Sequence, residues 1–196
     1  MGIYNAELSA GSLMPLESRR IAALLLTHPT ADQWETALKC DNLLQKKTMA
    51  TARRQARLIR NRLDTIDDAG LDLIANGNQE VAMQMLLVAA IKHSQLLGDF
   101  LRTVYWQRLR ALETYLASKD WETFLVECNH RDEAVSSWSD STKAKLFQVL
   151  VRVLAEAKFL ESTRSMKLTP QSIHPDVVRY LKARDESKLL ALLEQQ

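Results

Sequence analysis

Between Asn42 and Leu63 the chain places Lys46, Lys47, Arg53, Arg54, Arg57, Arg60 and Arg62, with no aspartate or glutamate among them. Arginine suits anionic oxygens. Its planar guanidinium donates two parallel hydrogen bonds to a phosphate and also reads guanine edges in a major groove. Surface helices usually mix signs, because i, i+4 pairs of opposite charge stabilise them. An unmixed run repels itself unless an anion relieves it. The chemistry indicated is binding of a polyanion, and double-stranded DNA is the expected partner. Outside this run, 19 of the 26 cations face all 24 acids, a net of −5. The overall charge of +2 therefore conceals one basic segment in an acidic protein.

Helical spacing gives that segment a face. At about 100° per residue, a helix over Thr48–Asp64 aligns Met49, Ala52, Ala56, Ile59 and Leu63 on one inward stripe. Arg53, Arg57 and Arg60 run beside it, and Arg54 and Asn61 extend the flank. Upstream, Thr30 with Gln33 makes a capping-box signal for a helix reaching about Cys40. Asp41-Asn42 breaks it, and Asn42 to Lys46 reads as a short helix. Helix, break, then Thr48-x-x-Thr51-x-Arg53-Arg54 resembles a helix-turn-helix, in which small hydroxyl side chains at the second helix's start meet phosphates or base edges.

A second helix-turn-helix-like element spans about residues 118–159. Ser118 to Asn129 is one helix, Ser136 to Ser141 a polar turn, and Thr142 to Phe159 an amphipathic helix. Ser139, Ser141, Thr142, Lys143 and Lys145 gather at an end that favours anions. Arg164 and Lys167 follow. Ordinary capping accounts for the hydroxyls equally well. The candidate DNA-binding residues are Lys46, Lys47, Thr48, Thr51, Arg53, Arg54, Arg57, Arg60, Asn61, Arg62, Lys143 and Lys145.

No catalytic centre is expected. The phosphate-binding, zinc-protease and nucleophile-elbow motifs are missing. Asp176 with Glu186-Ser187-Lys188 copies a metal-dependent nuclease pattern. That pattern needs a strand, and on a helix residues i and i+2 diverge by about 200°. Cys128-x-His130 lacks further zinc ligands, and Cys40 reads as a structural thiol. His93 and Asp99 read as a polar spot at a helix end. No cofactor, metal or small-molecule substrate is expected.

The elements around these residues read as all-α. Five glycines and four prolines are too few for a large sheet. Helices are expected over Leu16–Thr27, between Gly70 and Gly77, over Gln79–His93 as the buried centre, over Leu101–Leu116, and from Pro175 to about Leu193, with Gly98 kinking or ending the central one. Leu160 to Ile173 reads as a loop or a small hairpin. The expected organisation is a compact multi-helix fold with an N-terminal lobe over 1–116 and a C-terminal lobe over 117–196. The longest apolar run, Met85 to Ile91, is too short to span a bilayer. With no secretory leader and no disulfide framework, a cytoplasmic monomer is the default.

The residues also resemble the BrxA family, core components of bacterial BREX (bacteriophage exclusion) defence systems. Leu8-Ser9-Ala10-Gly11-Ser12-Leu13 with Glu17-Ser18-Arg19-Arg20-Ile21-Ala22 is similar to the family's opening. Asn42-Leu43-Leu44-Gln45-Lys46, Thr51-Ala52-Arg53-Arg54 and Ile59-Arg60-Asn61-Arg62-Leu63 are similar to its central signature. Ala90 to Ser94, Leu97 to Leu101, Trp138 to Ala157 and Leu160 to Ser165 continue the likeness, which covers Leu8 to Leu181. Ser12 stands where the family pattern has a second glycine. The resemblance implies a helical, duplex-DNA-binding protein acting in phage defence beside a site-specific methyltransferase and large ATPases. An RNA-binding adaptor and a protein scaffold docking an acidic partner are the alternatives that the basic segment leaves open.

Overall fold

The computed structural model describes residues 2–194. After a 3-10 turn at Glu7–Ala10 come α1 (Pro15–Leu25), α2 (Ala31–Lys39), α3 (Met49–Leu63), α4 (Asp68–Ala75), α5 (Gln79–His93) and α6 (Gln95–Phe100). A π-helical turn at Leu101–Tyr105 continues α6 into α7 (Trp106–Arg110). The C-terminal half holds α8 (Ser118–Arg131), a 3-10 turn at Glu133–Ser137, α9 (Asp140–Glu156), α10 (Pro175–Lys182) and α11 (Ser187–Glu194). The expected all-α class is what the described residues adopt.

α5 is the centre of the core. Every residue from Val81 to Ile91 except Met83 is buried, so the helix needs no polar face. Ser94 ends it and caps α6, accepting a hydrogen bond from the Leu97 N–H at 3.4 Å. The chain turns by 108° there, so the break falls at Ser94, and Gly98 lies inside α6. Phe100, Tyr105, Trp121, Phe124 and Phe159 fill the space beyond, with Phe100 and Phe124 edge to face at 5.2 Å. Buried residues from Tyr4 to Leu193 form one cluster. Among the described residues no single helix is long and apolar enough to cross a membrane.

Three expected elements differ. Asn42 to Lys46 is not helical, because Asn42 and Gln45 take left-handed backbone angles (φ 46° and 52°). The connection from α2 to α3 therefore runs over residues 40–48, longer than a tight helix-turn-helix turn of 3–4 residues. The helix expected over Leu101–Leu116 stops at Arg110. Leu112 turns left-handed (φ 58°), and Tyr115 bridges antiparallel to Lys167. The last helix is two, split where Asp185 takes φ 56°.

The Leu160–Ile173 segment does contain a small hairpin. Leu160 bridges antiparallel to Leu168, and the Thr169 N–H donates to the Phe159 carbonyl at 3.0 Å. The Leu168 N–H donates to Thr114 at 2.9 Å and the Leu116 N–H to Met166 at 3.0 Å. Residues near 115, 160 and 167 thus form a three-segment ribbon packed after α9.

The N-terminal arm crosses to the far half of the chain. The Tyr4 N–H donates to Asp132 Oδ2 at 2.9 Å, and the Tyr4 hydroxyl donates to Asp99 Oδ2 at 2.6 Å. Arg131 donates to both at 3.1 and 3.3 Å. Asp99 also accepts from Gln95 and Arg102. Its carboxylate is spent on this knot, while His93 lies 2.9 Å from Glu7, so the two do not meet as a dyad.

Candidate nucleic-acid interface

α3 forms where its sequence places it. The Thr48 hydroxyl accepts from the Thr51 N–H at 3.3 Å and closes the first turn, while the two hydroxyls bond at 2.9 Å. Ala52, Ala56, Ile59 and Leu63 are buried as the stripe requires. Met49 sits at the exposed end. The capping box that starts α2 is present, with Gln33 accepting from the Thr30 N–H at 2.8 Å.

The seven cations of the segment have different fates. Arg62 is 4% exposed and lies among the core residues. Its guanidinium donates to the carbonyls of Ser12 at 2.5 Å and Gly11 at 2.8 Å. Burial pushes it down to about 10, partly offset by Glu156, so it stays charged at neutral pH. Because its side chain points inward, Arg62 cannot reach a phosphate, which corrects its place among the candidates. Lys46 is half-buried against Glu17 at 2.5 Å. Arg53 meets Glu35 at 3.3 Å, and Arg60 lies 4.6 Å over the Trp34 ring with Asp64 at 4.0 Å.

Lys47, Arg54 and Arg57 are exposed, and none has an acid within 4.0 Å among the described residues. Arg54, Arg57 and Asn61 line a groove of about 180 Å³ with Glu7, Ala10 and Leu58, between α3 and the Glu7–Ala10 turn. An exposed guanidinium without a carboxylate partner can give all its donors to an anion.

The second element is built differently. Ser139 caps α9 by accepting from the Thr142 N–H at 3.2 Å, and its hydroxyl also meets those of Ser141 and Thr142 at 2.9 Å. Trp121 stacks on Phe147 at 5.6 Å and joins α8 to α9. Lys143 is half-buried near Asp140 at 4.0 Å, and Lys145 is exposed against Gln148. Sequence reasoning missed Arg152, which follows Lys145 by seven residues on the same helical face and is exposed. Arg152, Gln148 and Val151 share a cavity of about 270 Å³ with Thr163 and Met166, so the hairpin flanks α9's outer face and carries Arg164 beside it. Lys145, Arg152 and Arg164 have no acid within 4.0 Å among the described residues.

The nuclease-like motif does not assemble. Asp176 pairs with Arg179 on α10, and Glu186 pairs with Lys92 at 2.7 Å. Cys128 is buried, and burial pushes its thiol up to about 11; Cys40, expected as a buried structural thiol, is instead exposed just past the end of α2. No group of side chains able to hold a metal occurs among the described residues.

Comparison with known proteins places these features in a family. The BrxA family's profile matches residues 2–185. The chain is 37% identical over 191 residues to a protein of Paramagnetospirillum magneticum named BREX protein BrxA, covering 97% of this chain and 96% of that one. A namesake from Escherichia coli O9:H4 is 35% identical, covering 96% and 88%. A crystal structure of an uncharacterized protein from Magnetospirillum magneticum superposes with a TM-score of 0.91 at 36% identity, covering 98% of this chain and 99% of that one.

Proposed function

The chain belongs to the BrxA family of BREX phage-defence components, and from that membership we propose that it serves there as a non-enzymatic binder of double-stranded DNA, alongside other BREX proteins. The observation that carries this reading is a set of cations exposed and unpaired among the described residues, Lys47 just before α3 and Arg54 and Arg57 on it, where the helix's other face is buried in the core. Phosphates relieve such a set, and arginine is the side chain best matched to them. The C-terminal half adds support. α8, the Glu133–Ser137 turn, α9 and the 160–168 hairpin follow one another as the helices and wing of a winged helix do, and Lys145, Arg152 and Arg164 mark its outer face.

Binding of this kind is electrostatic and weakly selective. Each phosphate neutralised contributes about −0.9 to the slope of log K against log salt, so six contacts give about −5. Gel shifts at two salt concentrations test this, with unrelated duplexes and a size-matched structured RNA. A slope near zero overturns the proposal. Stronger retention of the RNA assigns the surface to RNA instead.

A further inference from the structure

The two cationic helices are joined by a polar brace. On α3, Arg62 holds the carbonyls of Gly11 and Ser12 at 2.8 and 2.5 Å. On α9, Glu156 accepts from the Ser12 hydroxyl and the Leu13 N–H, both at 2.8 Å. Residues 11–13 therefore lie between a guanidinium from one helix and a carboxylate from the other. The Glu7–Ala10 turn packs against both helices just before them. Ser12 takes part through its side chain, which a glycine could not supply.

The brace ties together the two helices that carry the exposed cations. Leu58, on the α3 turn that follows Arg54, reaches the same segment and would lie 3.3 Å from a Cβ added at Gly11. Arg152 stands one helical turn before Glu156, on the same side of α9. The groove lined by Arg54, Arg57 and Asn61 has Glu7 and Ala10 in its wall, and α9 packs against that same turn.

We infer that Arg62 and Glu156, acting through residues 11–13, lock α3 and α9 into one rigid frame that grips a single duplex with both cationic faces at once. The inference rests on the duplex-binding reading. It makes Arg62 a positioning residue: a buried cation that fixes the spacing of cations it does not join. Two faces held at fixed spacing bind the second site intramolecularly, and no ordering is lost when the DNA arrives.

The test compares fluorescence anisotropy on a 10-bp duplex, about one helical turn, with a 30-bp duplex. Wild type, Arg62→Met and Glu156→Gln are measured at a temperature where circular dichroism shows native helix. In wild type the salt slope is steeper on the longer duplex. Both variants lose about 10²-fold in affinity for the 30-bp duplex, the scale of a lost second attachment, and stay within about twofold of wild type on the 10-bp duplex. Equal losses on both lengths overturn the inference, because they mark a general loss of structure or of contact. So does a Glu156→Gln protein with no loss on either. A wild-type slope that is the same on both duplexes overturns it without any variant. No binding at either length removes the duplex-binding reading itself, and this inference with it.

Discussion

α3 and the α9–hairpin unit reach similar exposed charge from opposite directions. The α3 segment begins with seven cations and has most of them withdrawn: Arg62 into the core, Lys46 to Glu17 on α1, Arg53 to Glu35 on α2, and Arg60 onto Trp34. The α9 unit is sparsely charged along the chain, yet Lys145, Arg152 and Arg164 all stay exposed and unpaired among the described residues. Charge density along a chain thus measures what a helix could offer. What it presents is what the neighbouring elements leave over, and here the carboxylates that take their share lie on other helices.

The hardest blow to this comparison would come through its most deeply buried cation. Arg62→Met leaves the carbonyls of Gly11 and Ser12 without their donor. Each buried acceptor left unsatisfied costs about 1–3 kcal/mol. For a chain of this length each kcal/mol lowers Tm by about 2–4 °C, so a calorimetric drop of about 10 °C is expected. A melt unchanged within about 1 °C would place Arg62 with the surface arginines after all.

Next in size, Arg54→Ala with Arg57→Ala should flatten the salt slope by about 2 while the melt stays put, since neither side chain packs inward and alanine favours the helix. Arg53→Ala should change the slope by less, because Glu35 already holds it. Lys143→Ala with Lys145→Ala tests the other region. If that pair alone weakens binding, α9 is the reader and α3 is surface. Smaller and of opposite sign is Glu35→Gln, which releases Arg53 and should steepen the slope by up to about 0.9.

The smallest effect is in pH. Burial raises the Glu17 carboxyl, but the hydrogen bond and charge from Lys46 outweigh it and hold the group below its ordinary value of 4.5. A depressed carboxyl gives stability that is whole above the unfolded value and vanishes as pH falls through the folded one. Tm should therefore decline below about pH 4.5, and Glu17→Gln should make that acid limb shallower.

Much of the fold was legible because its signals are local. The Thr30–Gln33 box, the Thr48 cap and the apolar run of α5 each act within one or two turns. The misses were of two kinds, one a local cap and the others long-range contacts. Gly98 looked like the breaker, but Ser94 took that role by capping the next helix. Leu101 to Leu116 kept helical spacing past Arg110, yet pairing with residues 166–168 pulled its end into a ribbon. In the candidate site, Arg53 to Arg60 were readable by spacing. The burial of Arg62 was not, since its partners lie about fifty residues earlier. Arg152 could have been found by continuing Lys145 along its helix face.

The N-terminal arm sets an order on synthesis. Tyr4 leaves the ribosome well ahead of the groups it docks on: Asp99 follows it by 95 residues, and Arg131 and Asp132 by more than a hundred. Until α8 has emerged, the arm has only part of its docking: Asp99 and Arg62 are already made, and Arg131 and Asp132 are not. Residues 11–13 wait longer still, for Glu156. Contacts this distant along the chain are slow to form, so the nascent protein should assemble α1 to α5 first and finish fastening residues 4–13 last. A ribosome-bound fragment ending near residue 115 would hold residues 4–13 by Arg62, His93 and Asp99 alone, and so expose them to protease more than the finished chain does.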